Sequence, residues 1–186
     1  MKMMFWIAQA VGGLGILANA LIYQQKDRDK LRLIKLISDV IWGVHYTLLG
    51  AYSGAAITVV AIFRELVFMN RERKKWASHA VWPVIFSVAA VVSSVISGHD
   101  KGLICLLPGF ASAVSVIGFW IGRPKLSRVL YFPISGAMCA YDVFSGSVSG
   151  IINELISATS VIIGMIRLDA KKKKAQSEPE NPQNVK

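Results

Sequence analysis

The sequence predicts an all-α membrane protein: about seven transmembrane helices in a 3+1+3 arrangement, with two parallel three-helix repeats. Three observations carry this reading. Apolar stretches recur at the length that crosses a bilayer, basic clusters fall on alternate connections only, and the first and last thirds of the chain resemble each other. The 186 residues are 54% hydrophobic and 17% charged, too apolar for an ordinary soluble domain. A chain of this length ordinarily forms one domain.

Crossing the hydrocarbon takes about 20 mostly apolar residues. On that criterion the spans fall at about 5–23, 33–50, 54–70, 79–97, 103–121, 127–145 and 150–168. The first has the outline of a signal peptide, with Lys2, an apolar run and Ala18-Asn19-Ala20. It is read as a retained span because the apolar run is long and Lys26, Arg28, Lys30, Arg32 and Lys35 follow it. The transmembrane domain then covers 1–169, with repeat one at about 5–71, a linker helix at about 79–97 and repeat two at about 103–167. Residues 170–186 are rich in Lys, Glu, Pro, Gln and Asn, and are expected to form a disordered basic tail.

The charges orient the spans. Arg71, Arg73, Lys74 and Lys75, then Arg123, Lys125 and Arg128, and finally Lys171 to Lys174 fall on the same side as the cluster after the first span. Only Lys2 and Lys101 fall on the other. Basic loops stay cytoplasmic, so the N-terminus is expected outside and the C-terminus inside. The net charge of +10 is thereby accounted for without nucleic acid, which is excluded as a partner; the bilayer is the expected one. Trp6, Tyr46, Tyr52 and Tyr141 near outer ends, and Tyr23, Trp76, Trp82, Trp120 and Tyr131 near inner ends, are expected as interface anchors or packing. Cys105 and Cys139 lie within apolar stretches without metal-ligand spacing and read as small buried side chains.

Shifting the chain by 96 positions lays 12–71 over 108–167 without a gap. Gly13 meets Gly109, Arg32 meets Arg128, Arg71 meets Arg167, and Leu49-Gly50-Ala51-Tyr52-Ser53-Gly54 meets Ser145-Gly146-Ser147-Val148-Ser149-Gly150. Three spans repeat as three, and the span between them restores the direction, so the repeats run parallel. That layout resembles the SWEET and PQ-loop transporters. Where PQ-loop relatives carry Pro-Gln, this chain has Gln24-Gln25, and Gly122-Arg123-Pro124 in the second repeat.

A closer resemblance, over nearly the whole chain up to the tail, is to the YgjV-type bacterial inner membrane proteins. It is carried by Trp6-Ile7-Ala8-Gln9, by Gly43-Val44-His45-Tyr46-Thr47-Leu48-Leu49-Gly50, by Arg64, and by Gly146 to Gly150 followed by Glu154. The resemblance implies a small multi-pass protein of the bacterial inner membrane, and no particular activity.

Ionisable residues within spans are expensive and are functional candidates. Asp39 and Arg64 lie almost equally far from the turn near Tyr52, so a structural ion pair between them is expected. Glu65 could compete for Arg64. Asp142 and Glu154 lie equally far from the turn near Ser147, with His45 at similar depth in the first repeat. Two carboxylates in a low-dielectric place do not both stay ionised. Near a histidine they would suit a proton-coupled site; the alternative is that Asp142 and His45 sit hydrated in the interface. Asn153 and Glu154 lie one turn deeper. Asn19, and Ser115 at the equivalent position, are placed to face the axis, or to act as helix–helix glue. Trp42 and Met138 are likewise equivalent and could form an apolar wall. The runs Gly12-Gly13-Leu14-Gly15 and Gly136 to Ala140 suit close helix packing.

No metal, cofactor or soluble-enzyme motif is found. An intramembrane hydrolase using Asp142 and Glu154 is the only enzyme alternative, and a non-enzyme is expected. The leading expectation is a transporter or facilitator for a small solute, with Glu154, Asn153 and Asp142 facing His45 and Asn19 across a central path. The alternative is a membrane scaffold or complex subunit, with an apolar closed centre; the sparse polar residues along the axis leave it open. A homodimer suits either reading in a chain this short.

Overall fold

A computed structural model describes residues 2–24, 28–71, 73–121 and 124–177. These form seven α-helices: α1 Lys2–Gln24, α2 Arg28–Leu48, α3 Tyr52–Met69, α4 Val81–Ser97, α5 Leu106–Ile121, α6 Pro124–Ser145 and α7 Val148–Ser177. Short 3-10 segments, Lys75–Ser78 and His99–Cys105, precede α4 and α5. No strand occurs among the described residues. Expectations placed on Gln25, Lys26, Gly122, Arg123 and the residues after 177 lie outside them.

Each predicted span corresponds to one helix. Lys2–Leu21, Tyr52–Met69 and Val148–Ile166 are long and apolar enough to cross a membrane, while Val81–Ser97 and Gly102–Gly118 are apolar but shorter. The second and sixth helices depart from that apolar pattern because they carry the charges: Lys35 and Asp39 in α2, Lys125, Arg128 and Asp142 in α6.

One sequence expectation changes. The tail from 170 does not begin irregular: α7 continues through the lysine run to Ser177. Ala, Lys and Gln are good helix formers, and cations suit the last turns of a helix, where the backbone dipole is negative.

The turns α2–α3 and α6–α7 are built alike. Gly50 and Gly146, 96 residues apart, take φ of 70° and 71°. The Gly50 and Ala51 N–H groups donate to the carbonyls of Thr47 and Tyr46 (3.1 and 2.9 Å), and those of Gly146 and Ser147 to Val143 and Asp142 (3.3 and 2.9 Å). This is the left-handed glycine ending in which the next residue's N–H reaches back to satisfy an otherwise orphaned helix carbonyl.

Consecutive helices pack side by side and α1 meets α7, so the seven close into a ring; α3 also touches α5, with α4 against both. Between helices in lipid there is no strong hydrophobic drive, so close approach and polar contacts matter more. A Cβ on Gly12 would lie 2.5 Å from Ser149 Cβ and 2.8 Å from His45 Nδ1, and one on Gly15 would lie 2.8 Å from the Trp42 ring. The first small-residue run is therefore a packing surface. Gly136, in the second run, faces open space.

Candidate functional site

Six of the seven helices, all but α4, surround a cavity of about 260 Å³. Among the sequence candidates, Asn19, Asp39, Arg64, Asp142, Asn153 and Glu154 all line it. Trp42 and Met138 form part of its apolar wall, and Ser115, the repeat equivalent of Asn19, is there too. The axis is thus richer in polar groups than its sequence suggested, because α2, α3 and α5 contribute Lys35, Thr58 and Ser112 as well. Helical spacing hides these: each looks like an isolated polar residue until the ring brings them together.

At the end bearing the basic connections, four charges are chained. Lys35 Nζ lies 3.1 Å from both Asp39 oxygens and 3.7 Å from Glu65 Oε1, which in turn lies 3.0 Å from Arg64 Nη2. Arg64 Nη1 also donates to Ser115 Oγ at 3.1 Å. Asp39 and Arg64 both line the cavity, but the ion pairs described for them are with Lys35 and Glu65. The missed partner, Lys35, stands four residues before Asp39, the spacing that places two side chains on one helix face.

Midway, an amide chain ties three helices. Ser38 Oγ donates to Asn19 Oδ1 (2.7 Å), and Asn19 Nδ2 donates to Asn153 Oδ1 (2.9 Å). Glu154 Oε2 accepts from Tyr131 OH at 3.1 Å. Asp142 Oδ1 accepts from Tyr46 OH at 2.9 Å. The two carboxylates are therefore each held by a tyrosine rather than by one another or by His45.

The end bearing the two glycine turns is closed by buried hydrogen bonds. His45, fully buried, is bonded at both ring nitrogens: Nδ1 to the Ala8 carbonyl and Nε2 to Ser147 Oγ, each at 2.7 Å. Tyr141 OH accepts from Ser53 Oγ and from the Gly54 N–H, both at 2.9 Å. Gln9 in α1 accepts from the Ser149 N–H and donates to the Gly146 carbonyl, both at 2.9 Å. His45 and Asp142 are 0% and 1% exposed, which rules out the hydrated-interface alternative for them. His45 itself is not a lining residue.

Three aromatic assignments change with this. Tyr46 and Tyr141 are buried and Tyr131 is half-buried, and each hydroxyl serves a polar partner inside the ring. Nothing in local sequence separates such a tyrosine from an interface anchor. The repeat offset does hold a clue, since Tyr46 aligns with Asp142 and the aligned pair touches. Trp76, Trp82 and Trp120 do cluster at the basic end, where Trp82 Nε1 donates to the Trp76 carbonyl (2.8 Å) and Arg71 lies 3.9 Å from the Trp120 ring centre.

Tyr46→Phe is expected to lower stability by about 1–3 kcal/mol, since it strands a buried carboxylate oxygen. Thermal unfolding in detergent checks this; an unchanged midpoint would mean that Asp142 does not depend on that hydroxyl.

The family described as bacterial inner membrane protein, Imp-YgjV, matches residues 6–172, a stretch that takes in every residue of the cavity and of its closed end. This chain belongs to the YgjV family. Inner membrane protein YgjV of Escherichia coli (strain K12) is 23% identical over 146 residues, covering 78% of this chain and 75% of that protein. No solved structure matches the chain. As a YgjV-family protein it resides in the bacterial inner membrane, so the outward apolar side chains of the ring, such as Leu14, Val88, Phe110 and Leu155, meet lipid. Among the described residues no group of three His, Cys, Asp or Glu is placed to hold a metal ion, and Cys105 and Cys139 are free thiols.

Proposed function

We propose that this YgjV-family chain is a small-solute transporter or facilitator built from two parallel three-helix units around the cavity. The observation that carries the reading is the cavity's asymmetry. Its turn end is closed by groups that are almost wholly buried, including His45, Tyr46, Asp142 and Ser147. At its basic end the Lys35 and Asp39 side chains retain 23% and 15% exposure. A polar space closed at one end and accessible from the other is what one state of an alternating-access carrier requires. A scaffold has no need to enclose buried carboxylates, which cost free energy unless they serve a purpose.

The neighbour pattern supports the paired units. A shift of 96 residues carries α1 to α5, α2 to α6 and α3 to α7. The contact α1–α2 then becomes α5–α6, α2–α3 becomes α6–α7, and α1–α7 becomes α5–α3, all of which occur. The α4 helix is the one left over. With basic loops cytoplasmic, the N-terminus lies outside and the cavity opens inward.

In this reading Glu154 is the proton carrier. It sits on α7 beside Asn153, held by Tyr131 of α6. Neutralising it removes a charge from the cavity and lets the two units rock. Reconstituted protein is expected to change the internal pH of vesicles containing a pH dye when one member of a panel of amines, amino acids, sugars and organic acids is supplied with a proton gradient. Glu154→Gln is expected to abolish that signal while still inserting. Normal uptake by the variant would remove Glu154 from the mechanism.

A further inference from the structure

We infer that the cavity takes a small organic cation, an alkylated ammonium, with Asp142 and Glu154 as its counter-charges and Trp42 and Tyr46 as its aromatic wall. This names the solute class for the transport reading above and rests on it.

The charges in and beside the cavity divide into two groups. Toward the basic end, the cations Lys35 and Arg64 are already matched by Asp39 and Glu65. Deeper in, Asp142 and Glu154 have neutral hydrogen-bond partners: Tyr46 and Ser147 for the first, Tyr131, Ser135 and Asn153 for the second. The remaining polar neighbours there, Asn19 and Asn153, are neutral amides engaged with each other. The described ion pairs therefore leave the inner half of the cavity with two carboxylates and no basic side chain. An anion would be repelled there, and a sugar would leave both carboxylates uncompensated. A cation would supply the missing charge.

The shape of the lining favours an organic cation over a bare ion. The two carboxylates are bonded to tyrosines on different helices, Tyr46 of α2 and Tyr131 of α6. No group of three metal-ligating side chains is present among the described residues. Instead Trp42 and Tyr46 lie side by side, ring centres 6.0 Å apart and tilted by 33°, and both line the cavity with the thioether of Met138. An indole or phenol face attracts an alkylammonium, whose methyl groups also tolerate an apolar wall. About 260 Å³ accommodates a molecule of a few heavy atoms.

A proton competes with such a cation for the same oxygens, so binding strengthens as pH rises. The other titratable groups facing this region are Lys35, Asp39 and Tyr46 from α2, Arg64 and Glu65 from α3, and Tyr131 and Tyr141 from α6; α1 and α5 contribute none to the lining.

The test is titration of the full chain in detergent with tetramethylammonium chloride. Tryptophan fluorescence and calorimetry follow binding, and sodium chloride, sodium acetate and glucose serve as comparisons. Saturable binding of tetramethylammonium alone is expected, about tenfold tighter at pH 8 than at pH 6, and weakened at least about tenfold by Glu154→Gln. Asp142→Asn is the second variant, should Glu154→Gln fail to fold. If wild-type protein responds to tetramethylammonium no differently than to sodium chloride, or binds glucose or acetate instead, the inference is overturned. The two readings fail separately. Cation binding without uptake in vesicles would sink transport and leave the binding site. Uptake of a neutral or anionic solute would do the reverse.

Discussion

Gly150→Val is expected to destabilise the protein by about 3 kcal/mol, the upper range for forcing extra carbons into a packed interior. The residue sits about one turn above the amide chain, against the sixth helix. Even the first added carbon would lie 2.5 Å from Cγ and Oδ2 of Asp142 and would overlap Ser147 Oγ. Neither neighbour is free to yield. Asp142 is held by Tyr46, and Ser147 Oγ is bonded to His45 while also accepting from the Gly150 N–H at 3.0 Å. The clash must therefore separate α6 from α7 at the closed end. Thermal unfolding in detergent measures the loss, with Gly136→Ala as a control that has space around it. Equal midpoints for the valine variant and wild type would show that the closed end is looser than its geometry implies.

His45→Leu should cost about 2–5 kcal/mol, because it strands two buried groups at once. The leucine matches the imidazole in bulk but leaves the Ala8 carbonyl and Ser147 Oγ without their 2.7 Å partner. Those groups lie on the first helix and in the turn that leads into the last, so the loss falls on the seam between them. Ser147→Ala made in the same protein separates a bonding role from a packing role. If the bond is what matters, the double variant loses clearly less than the two single losses added together. Strict additivity would mean that the ring of His45 merely fills space.

These expectations depend on contacts that the sequence revealed unevenly. Helix number and approximate limits are legible because apolar length is a strong signal, and the twin glycine turns are legible because Leu49 to Gly54 and Ser145 to Gly150 align. Six of the cavity's polar residues, Asn19, Asp39, Arg64, Asp142, Asn153 and Glu154, can be nominated simply because polar groups are rare at such depths. Their partners cannot. Counting from the turn matches Asp39 to Arg64, which fixes depth but not azimuth, and Lys35 on the same helix face is its partner instead. Tyr46 and Tyr131 read as interface anchors or packing, since an amphipathic ring gives the same pattern whether its hydroxyl meets water or a buried carboxylate. The fate of His45 was illegible for a similar reason. Its partners lie 37 and 102 residues away, beyond any local spacing rule.

The seam between α1 and α7 also bears on biogenesis. The bonds from Gln9 to Ser149 bridge 140 positions, and the amides of Asn19 and Asn153 bridge 134. None of them can form until the final helix has entered the bilayer. Through most of synthesis the first helix therefore stands with Gln9, Asn19 and the bare surface of Gly12 facing lipid or a chaperone instead of protein. A ribosome-stalled intermediate lacking the last helix would display that polar edge, the kind of feature by which membrane quality control can tell an unfinished chain from a completed one.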